Sequence, residues 1–268
     1  MDEQMNETPK ETAADSAPAA VGEPAKAAPP DPEPPLSPVG DLVGVIIAPG
    51  ATFKGIVARK WWYALVPIAL LMAVSVFSTS MFVSKVDMAQ LTRDQIRQSK
   101  FASQMSQSQI DEAADKAASR PKWITVAIGT IGFPILVLLL ALIFWLVLLA
   151  FGKDINYGRS FQATSWAMLP TLFTALIFVV LMFIKDPNSM NLQNPIATNP
   201  AALFDVEAMP KPLYALLSAV DIFKFWVIAL LSIGLGAAAR CKVSQAAITV
   251  VSLYGFWVLI KVGLAAIF

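Results

Sequence analysis

Three stretches of the chain carry no Asp, Glu, Lys or Arg, and each is long enough to cross a lipid bilayer. They are Trp61–Ser84, Trp123–Gly152 and Ser160–Ile184. A hydrocarbon core of about 30 Å requires roughly 20 apolar helical residues, since each residue advances a helix by about 1.5 Å. The sequence therefore predicts an integral membrane protein and not a soluble enzyme.

Two further apolar stretches contain isolated charges. Leu213–Ala239 includes Asp221 and Lys224, and Val243–Phe268 includes Lys261. With these two stretches, the pattern predicts an all-α polytopic membrane protein whose body is a five-helix transmembrane bundle. The spans are expected at about residues 61–84, 123–152, 161–184, 214–239 and 245–268.

The first 40 residues differ in composition from the rest of the chain. They hold nine prolines, and eight acidic residues against two basic ones. A segment with so little apolar surface to bury is expected to be disordered, which leaves residues 41–268 as the membrane domain. A mobile acidic tail is a candidate for contacts with cytoplasmic protein partners.

Two segments next to the spans are expected to form amphipathic interfacial helices. The apolar run Leu42–Ile47 is too short to span, and the pair Trp61-Trp62 follows at the predicted bilayer boundary. The loop Lys85–Lys122 has apolar residues at helical spacing among charges of both signs. Helices packed on the membrane face explain this loop better than a dedicated binding module.

Basic residues predict the orientation of the chain. They cluster in three short segments, at residues 54–60, 153–159 and 240–242, which fall on one side if there are five spans. Lys and Arg near span ends tend to stay cytoplasmic. We therefore expect the N-terminus inside and the C-terminus outside, because the seven bases of the loop 85–122 are diluted among acidic residues.

Several residues follow a known pattern of a Pro-x-x-Thr-Phe element, five spans and two compact positive loops. They are Pro49, Thr52, Phe53, Gly152, Ser160, Phe161, Pro170, the run Asp221-Ile222-Phe223, Trp226 and Gly234. From about Asp41 onward, the chain resembles the Yip (Ypt-interacting protein) domain family. The resemblance implies a five-helix multipass protein with a cytoplasmic N-terminus, similar to eukaryotic members that bind Rab-type GTPases and act in vesicle traffic.

One motif departs from the eukaryotic pattern. The run Asp41-Leu42-Val43-Gly44 lacks the Tyr and the Pro of the Asp-Leu-Tyr-Gly-Pro motif. Together with the long charged loop after the first span, this is more similar to the bacterial branch, whose biochemical role is generally unassigned. The resemblance thus implies a protein of a bacterial cytoplasmic membrane.

Asp221, Lys224 and Lys261 are the most informative positions, because a charge inside a membrane costs roughly 2.5 to 3.5 kcal/mol on insertion scales. Asp221 and Lys261 are expected at matching depth on antiparallel spans, which allows an intramembrane ion pair, with Lys224 as a competing partner. Alternatively, Asp221 caps a helix that starts near Ile222, and both lysines extend to the headgroups. A proton or ion path is the third interpretation.

Small residues are expected where helices approach closely. They are Gly129 and Gly132 in the second span, where Pro134 is expected to cause a kink, and Ser232, Gly234 and Gly236 in the fourth. The face formed by Ser232 and Gly236 serves either packing within the bundle or a homo-oligomer.

The sequence contains no histidine and a single cysteine, Cys241. It also has no phosphate-binding loop, metal-ligand cluster or nucleophile with a nearby base. We therefore expect no catalytic, cofactor or metal site, and the charge pattern does not suit nucleic acid. The expected function is a non-enzymatic scaffold that organises lipid or recruits partners, and the alternative is a small transporter or channel that uses Asp221 and Lys261.

Overall fold

The computed structural model describes residues 37–187, 190, 194–204 and 209–267. This part of the chain forms eleven α-helices and contains no strand, which confirms the predicted all-α class. Most of the predicted tail, residues 1–36, lies outside the described residues.

Two short helices precede the first span. α1 (Pro38–Ile47) begins after Ser37, whose hydroxyl accepts a hydrogen bond from the backbone N–H of Gly40 at 3.2 Å. α2 (Pro49–Ala58) follows after one residue. Both helices start with proline, which suits the first helical position because an N–H there has no acceptor within the helix. At ten residues each, neither helix is long enough to cross the hydrocarbon core.

Four helical segments are long and apolar enough to cross a membrane. They are a 3-10 turn (Trp61–Ala64) that continues into α3 (Leu65–Lys85), then α6 (Lys122–Ala150), then α7 (Tyr157–Ala167) joined to α8 (Pro170–Ile184), and finally α11 (Val243–Ile267). A fifth candidate combines α9 (Lys211–Leu217) with α10 (Ile222–Ala238), but the two helices are bent by 54°. The described residues thus hold four candidate spans, or five if the bent pair is one span.

The loop between the first two spans folds into two helices, α4 (Met88–Gln98) and α5 (Gln107–Ser119). Arg93 of α4 forms an ion pair with Asp111 of α5 at 3.1 Å. The hydrogen bond from Arg93 holds the pKa of the Asp111 carboxyl below its ordinary value. The long loop is therefore a pair of helices joined by charged side chains.

α7 is the most enclosed helix, and all eight residues from Ser160 to Ala167 are buried. The two N–H groups on Nε2 of Gln162 are shared among the backbone oxygens of Ile56, Arg59 and Lys60, at distances of 3.0, 3.1 and 2.9 Å. Buried polar groups need such partners, since an unpaired one costs roughly 1–3 kcal/mol. Gln162 therefore ties α7 to the connection between α2 and the first span.

Two short loops meet at one end of the bundle. The Arg240 side chain, after α10, forms an ion pair with Asp154, after α6, at 3.3 Å. Nearby, Nζ of Lys153 donates a hydrogen bond to Oε1 of Gln245 at 3.0 Å. The C-terminal ends of α6 and α10 therefore lie at the same end of the molecule.

Candidate functional site

The break between α9 and α10 contains the only acidic residue of the predicted fourth span. Asp221 caps α10, because its Oδ1 accepts hydrogen bonds from the backbone N–H groups of Phe223 at 2.9 Å and Lys224 at 3.1 Å. Its Oδ2 accepts a hydrogen bond from the Thr198 hydroxyl. Asp221 is only 8% exposed, and the positive end of the α10 dipole stabilises a carboxylate at this position.

Both lysines contact the same residue at the end of α9. Nζ of Lys224 donates a hydrogen bond to the backbone oxygen of Ser218 at 2.7 Å, and Nζ of Lys261 donates one to the Ser218 hydroxyl at 2.8 Å. The Tyr254 hydroxyl, on α11, donates to the backbone oxygen of the next residue, Ala219. We refer to these residues as the helix-break cluster: Ser218, Asp221, Lys224, Tyr254 and Lys261.

The predicted ion pair of Asp221 with Lys224 or Lys261 does not occur among the ion pairs of the described residues. The break between the helices is the physical reason. A helix start offers free N–H groups to a carboxylate, and a helix end offers free carbonyl oxygens to an ammonium group. In the structure, Asp221 caps a helix that begins at Ile222. This is the alternative interpretation that the sequence left open for Asp221.

The small residues of α10 lie inside the bundle. A Cβ added to Gly234 would be 2.8 Å from the ring of Phe53, and one added to Gly236 would be 3.3 Å from Cα of Val243. Ser232 is also buried, and its hydroxyl bonds to a carbonyl one turn earlier in the helix. The face considered for a homo-oligomer is therefore filled by contacts within the chain.

The small residues of α6 differ from one another. A Cβ added to Gly129 would be 3.2 Å from the side chain of Thr79 on α3, whereas one added to Gly132 would meet no atom within 4 Å. α6 continues as one helix through Pro134. Gly129 is thus a site of close helix packing, and Gly132 is not.

Five residues of the family pattern lie at helix starts or in packing contacts. They are Pro49, Thr52, Phe53, Pro170 and Trp226. Pro49 and Pro170 each occupy the first position of a helix, α2 and α8. Phe53 is fully buried, and the Trp226 ring stacks on that of Phe173 at 5.5 Å. These residues hold the helices of the bundle together.

A polar contact that the sequence pattern did not reveal holds α1 against the bundle. Oδ2 of Asp41 accepts hydrogen bonds from Nη1 of Arg59 and from the Tyr63 hydroxyl. The Arg59 guanidinium also lies 4.5 Å from the centroid of the Tyr63 ring, which stacks on Trp166 at 5.2 Å. We refer to Asp41, Arg59 and Tyr63 as the α1 clamp. Asp41 in the first turn of α1 was its one sequence signal, because the three residues belong to different helical elements and only tertiary structure brings them together.

A large groove runs between the helices. Its volume is about 1380 Å³, and its walls come from α3, α6, α8, α10 and α11. Most of the lining is apolar, with hydroxyl groups such as those of Ser75 and Thr79 on α3, and Asp221 and Lys224 of the helix-break cluster also line it. We refer to this feature as the lateral groove.

Comparison with known proteins returned one finding. A family model described as the Yip1 domain matches residues 43–267. No curated protein and no solved structure matches the chain. The match begins within α1, at Val43, and extends to the end of α11.

Proposed function

The chain belongs to the Yip1 domain family of membrane proteins, and we propose that it is a non-enzymatic scaffold that organises the bilayer around it. The exposed apolar face of α1 is the observation that carries this proposal. Val39, Val43 and Ile47 are 72, 51 and 76% exposed. Residues four apart share one face of a helix, so these three side chains form one exposed apolar stripe.

The surroundings of the stripe suit the boundary between headgroups and acyl chains. Trp61 and Trp62 are 61 and 43% exposed, and aromatic rings of this kind are enriched at membrane interfaces. Lys54 and Lys60 are exposed nearby in the sequence and suit anionic headgroups. The α1 clamp holds the stripe in one position, so that α1 displaces lipid headgroups on one leaflet only.

We further infer that α9 and α10 cross the membrane as one broken span. α10 alone has 17 residues, or about 26 Å of helix. Its C-terminal end lies near Asp154 and Lys153, whereas its start lies at the opposite end of the bundle. With this broken span the chain crosses the membrane five times. The N-terminus then lies in the cytoplasm, the C-terminus lies outside, and the α1 stripe lies in the cytoplasmic leaflet.

Cys241 provides the test of this topology, because it is the only cysteine of the chain. In intact cells, a membrane-impermeant maleimide is expected to leave Cys241 unlabelled until the membrane is permeabilised. A cysteine appended to the C-terminus of a Cys241→Ser variant is expected to react from outside. Labelling of both positions from the same side would contradict five spans.

Vesicle shape tests the scaffold proposal. Purified protein is reconstituted into liposomes, and vesicle diameters are measured by electron cryomicroscopy at one lipid-to-protein ratio. We expect narrower vesicles with the wild type than without protein, and no narrowing with the triple variant V39S/V43S/I47S. The matched control V39L/V43L/I47L keeps the stripe apolar and should narrow the vesicles as the wild type does. Equal narrowing by the serine variant would overturn the proposal.

The acidic tail extends the proposal to protein partners. The first 40 residues carry eight acids against two bases, and segments of this composition bind partners by folding on contact. We expect affinity purification of the full chain to recover cytoplasmic proteins that a variant without residues 1–36 does not recover. Recovery of the same proteins by both would assign recruitment to the membrane domain.

Transport is the second candidate, and the charges of the helix-break cluster favour it. Against it, an ion in the lateral groove would exchange its hydration for a mostly apolar wall, which is costly. Asp221→Asn separates the two candidates, because Asn caps a helix about as well as Asp and the fold should persist. We expect no ion or proton flux in liposomes from either protein. A wild-type flux that the substitution abolishes would favour transport.

A further inference from the structure

The lateral groove is long and closed at one end. Along α6 it extends from Gly129 to Phe144, which is about 22 Å of helix and most of a hydrocarbon core of about 30 Å. At the deep end, Leu71, Phe144 and Leu231 line it and belong to the buried core. The groove is therefore an apolar channel with a floor, which suits an extended hydrocarbon chain.

The long side of the groove opens between α6 and α11. Its lining residues Leu136 and Leu139 on α6 are 51 and 52% exposed, and Phe256 and Trp257 on α11 are 63 and 58% exposed. These four side chains belong to candidate spans, where the hydrocarbon region of a bilayer would surround them. A lipid can therefore enter the groove sideways without leaving the membrane.

At the other end of the groove, two lysines outnumber the one carboxylate, Asp221, which also lines it. Lys224 lines it, and Lys261 reaches the same residue, Ser218. Both oxygens of Asp221 already accept hydrogen bonds from neutral donors, and no described carboxylate forms an ion pair with either lysine. Each ammonium group has three N–H donors. One donor of each is used on Ser218, so two remain on each lysine for an anion.

We propose that the lateral groove binds one anionic phospholipid, with an acyl chain along the groove and the phosphate near Lys224 and Lys261. Its volume of about 1380 Å³ exceeds the roughly 300–1,000 Å³ typical of sites for small molecules. The ammonium groups lie at the end where the acyl chain of a bound lipid would meet its headgroup. This site is distinct from the α1 stripe, and its test does not depend on the scaffold proposal.

Native mass spectrometry of the detergent-solubilised protein tests the headgroup. The probes are phosphatidylglycerol and phosphatidylcholine with identical palmitoyl and oleoyl chains. We expect one tightly held lipid per chain and a preference for phosphatidylglycerol, which K224Q/K261Q reduces by about fivefold for each lysine lost. The control Lys242→Gln removes an exposed charge from the loop after α10 and should leave the preference unchanged. An unchanged preference in K224Q/K261Q would overturn the headgroup assignment.

A second variant tests the groove itself. Ala175 on α8 lines the groove, and Ala175→Phe places a ring in it, so the held lipid should be lost. Leu146 on α6 is 49% exposed and does not line the groove, so Leu146→Phe is the matched control and should retain the lipid. Retention by Ala175→Phe would overturn the proposal. So would a wild-type dimer that Ala175→Phe dissociates, since the groove would then hold a second copy of the chain.

Discussion

Substitution of Gly234 by alanine tests whether α2 packs closely against α10. A Cβ at this position would lie 2.8, 2.9 and 3.2 Å from three ring atoms of Phe53. Real Cβ atoms do not approach other heavy atoms within 3.0 Å, so the ring or the helix must move. Phe53 is fully buried, so its ring is enclosed by other atoms of the bundle. We therefore expect Gly234→Ala to destabilise the protein.

A matched alanine substitution isolates the size of the effect. Overpacking of a filled core costs about 1–3 kcal/mol. Replacing a helical glycine by alanine gains roughly 0.5–1 kcal/mol, which offsets part of that cost. Gly255 of α11 supplies the reference, because a Cβ there meets no atom within 4 Å. The gain in helix propensity cancels between the two variants, so Gly234→Ala should be about 1–3 kcal/mol less stable than Gly255→Ala.

The assay is equilibrium unfolding of the purified variants in mixed micelles of dodecyl maltoside and dodecyl sulfate. Gly255→Ala should match or exceed the wild type in free energy of unfolding, and Gly234→Ala should fall below it. Phe53→Leu in the Gly234→Ala background should recover part of the loss, because the two side chains then no longer overlap. Equal stability of the two alanine variants would refute the close contact between α2 and α10.

Three further predictions concern polar contacts. Gln162→Leu should lower the free energy of unfolding by about 1–3 kcal/mol, because backbone oxygens of the α2–α3 connection lose their buried donor. Tyr63→Phe should lower it by about 1.5–3 kcal/mol, because the hydroxyl donates to the charged Asp41. The hydrogen bond from Arg93 lowers the pKa of Asp111. Ionised Asp111 therefore stabilises the contact between α4 and α5 fully above about pH 4, and this stabilisation is lost as the pH falls through the lowered pKa. Distances between spin labels on α4 and α5 should widen at that acidic pH, and Arg93→Gln should widen them at pH 7 already.

Each of these three changes has a control of the same chemistry. Gln95 on α4 is exposed, so Gln95→Leu should change stability by less than about 0.5 kcal/mol. Tyr157→Phe removes a hydrogen bond to an uncharged carbonyl, worth about 0.5–1.5 kcal/mol. Arg120→Gln should leave the label distances at pH 7 unchanged. A control that equals its test variant would contradict the corresponding contact.

Membrane residence and the helical class could be predicted because the absence of charge is a property of each segment alone. The break at Ser218–Asp221 could be predicted only as an alternative, since an average over some 20 residues hides a four-residue interruption that carries one charge. The local sequence did contain a signal, because Asp221 is a residue type that caps helices. Hydropathy and capping pointed to different helix starts there, and tertiary structure decided between them.

The partners of the charged residues were also beyond prediction. Lys224 and Lys261 meet at Ser218 because α9 ends there and α11 packs beside it, and neither fact is visible in the periodicity of one helix. Gln162 was predictable in part. A buried amide in the charge-free stretch 160–184 must find partners, but the sequence does not say that they lie at the end of α2.

The position of α1 relative to the bilayer tests the central claim most directly. Spin labels are attached singly at residues 39, 43 and 47 of a cysteine-free variant in liposomes, and their accessibility to oxygen and to a water-soluble nickel chelate is measured. References are the exposed residues Leu146 on the lipid-facing side of α6 and Ser108 on α5. We predict that all three labels are accessible to oxygen and protected from nickel, like the label at Leu146. Accessibility to nickel equal to that of the label at Ser108 would contradict the insertion of α1 into the membrane interface.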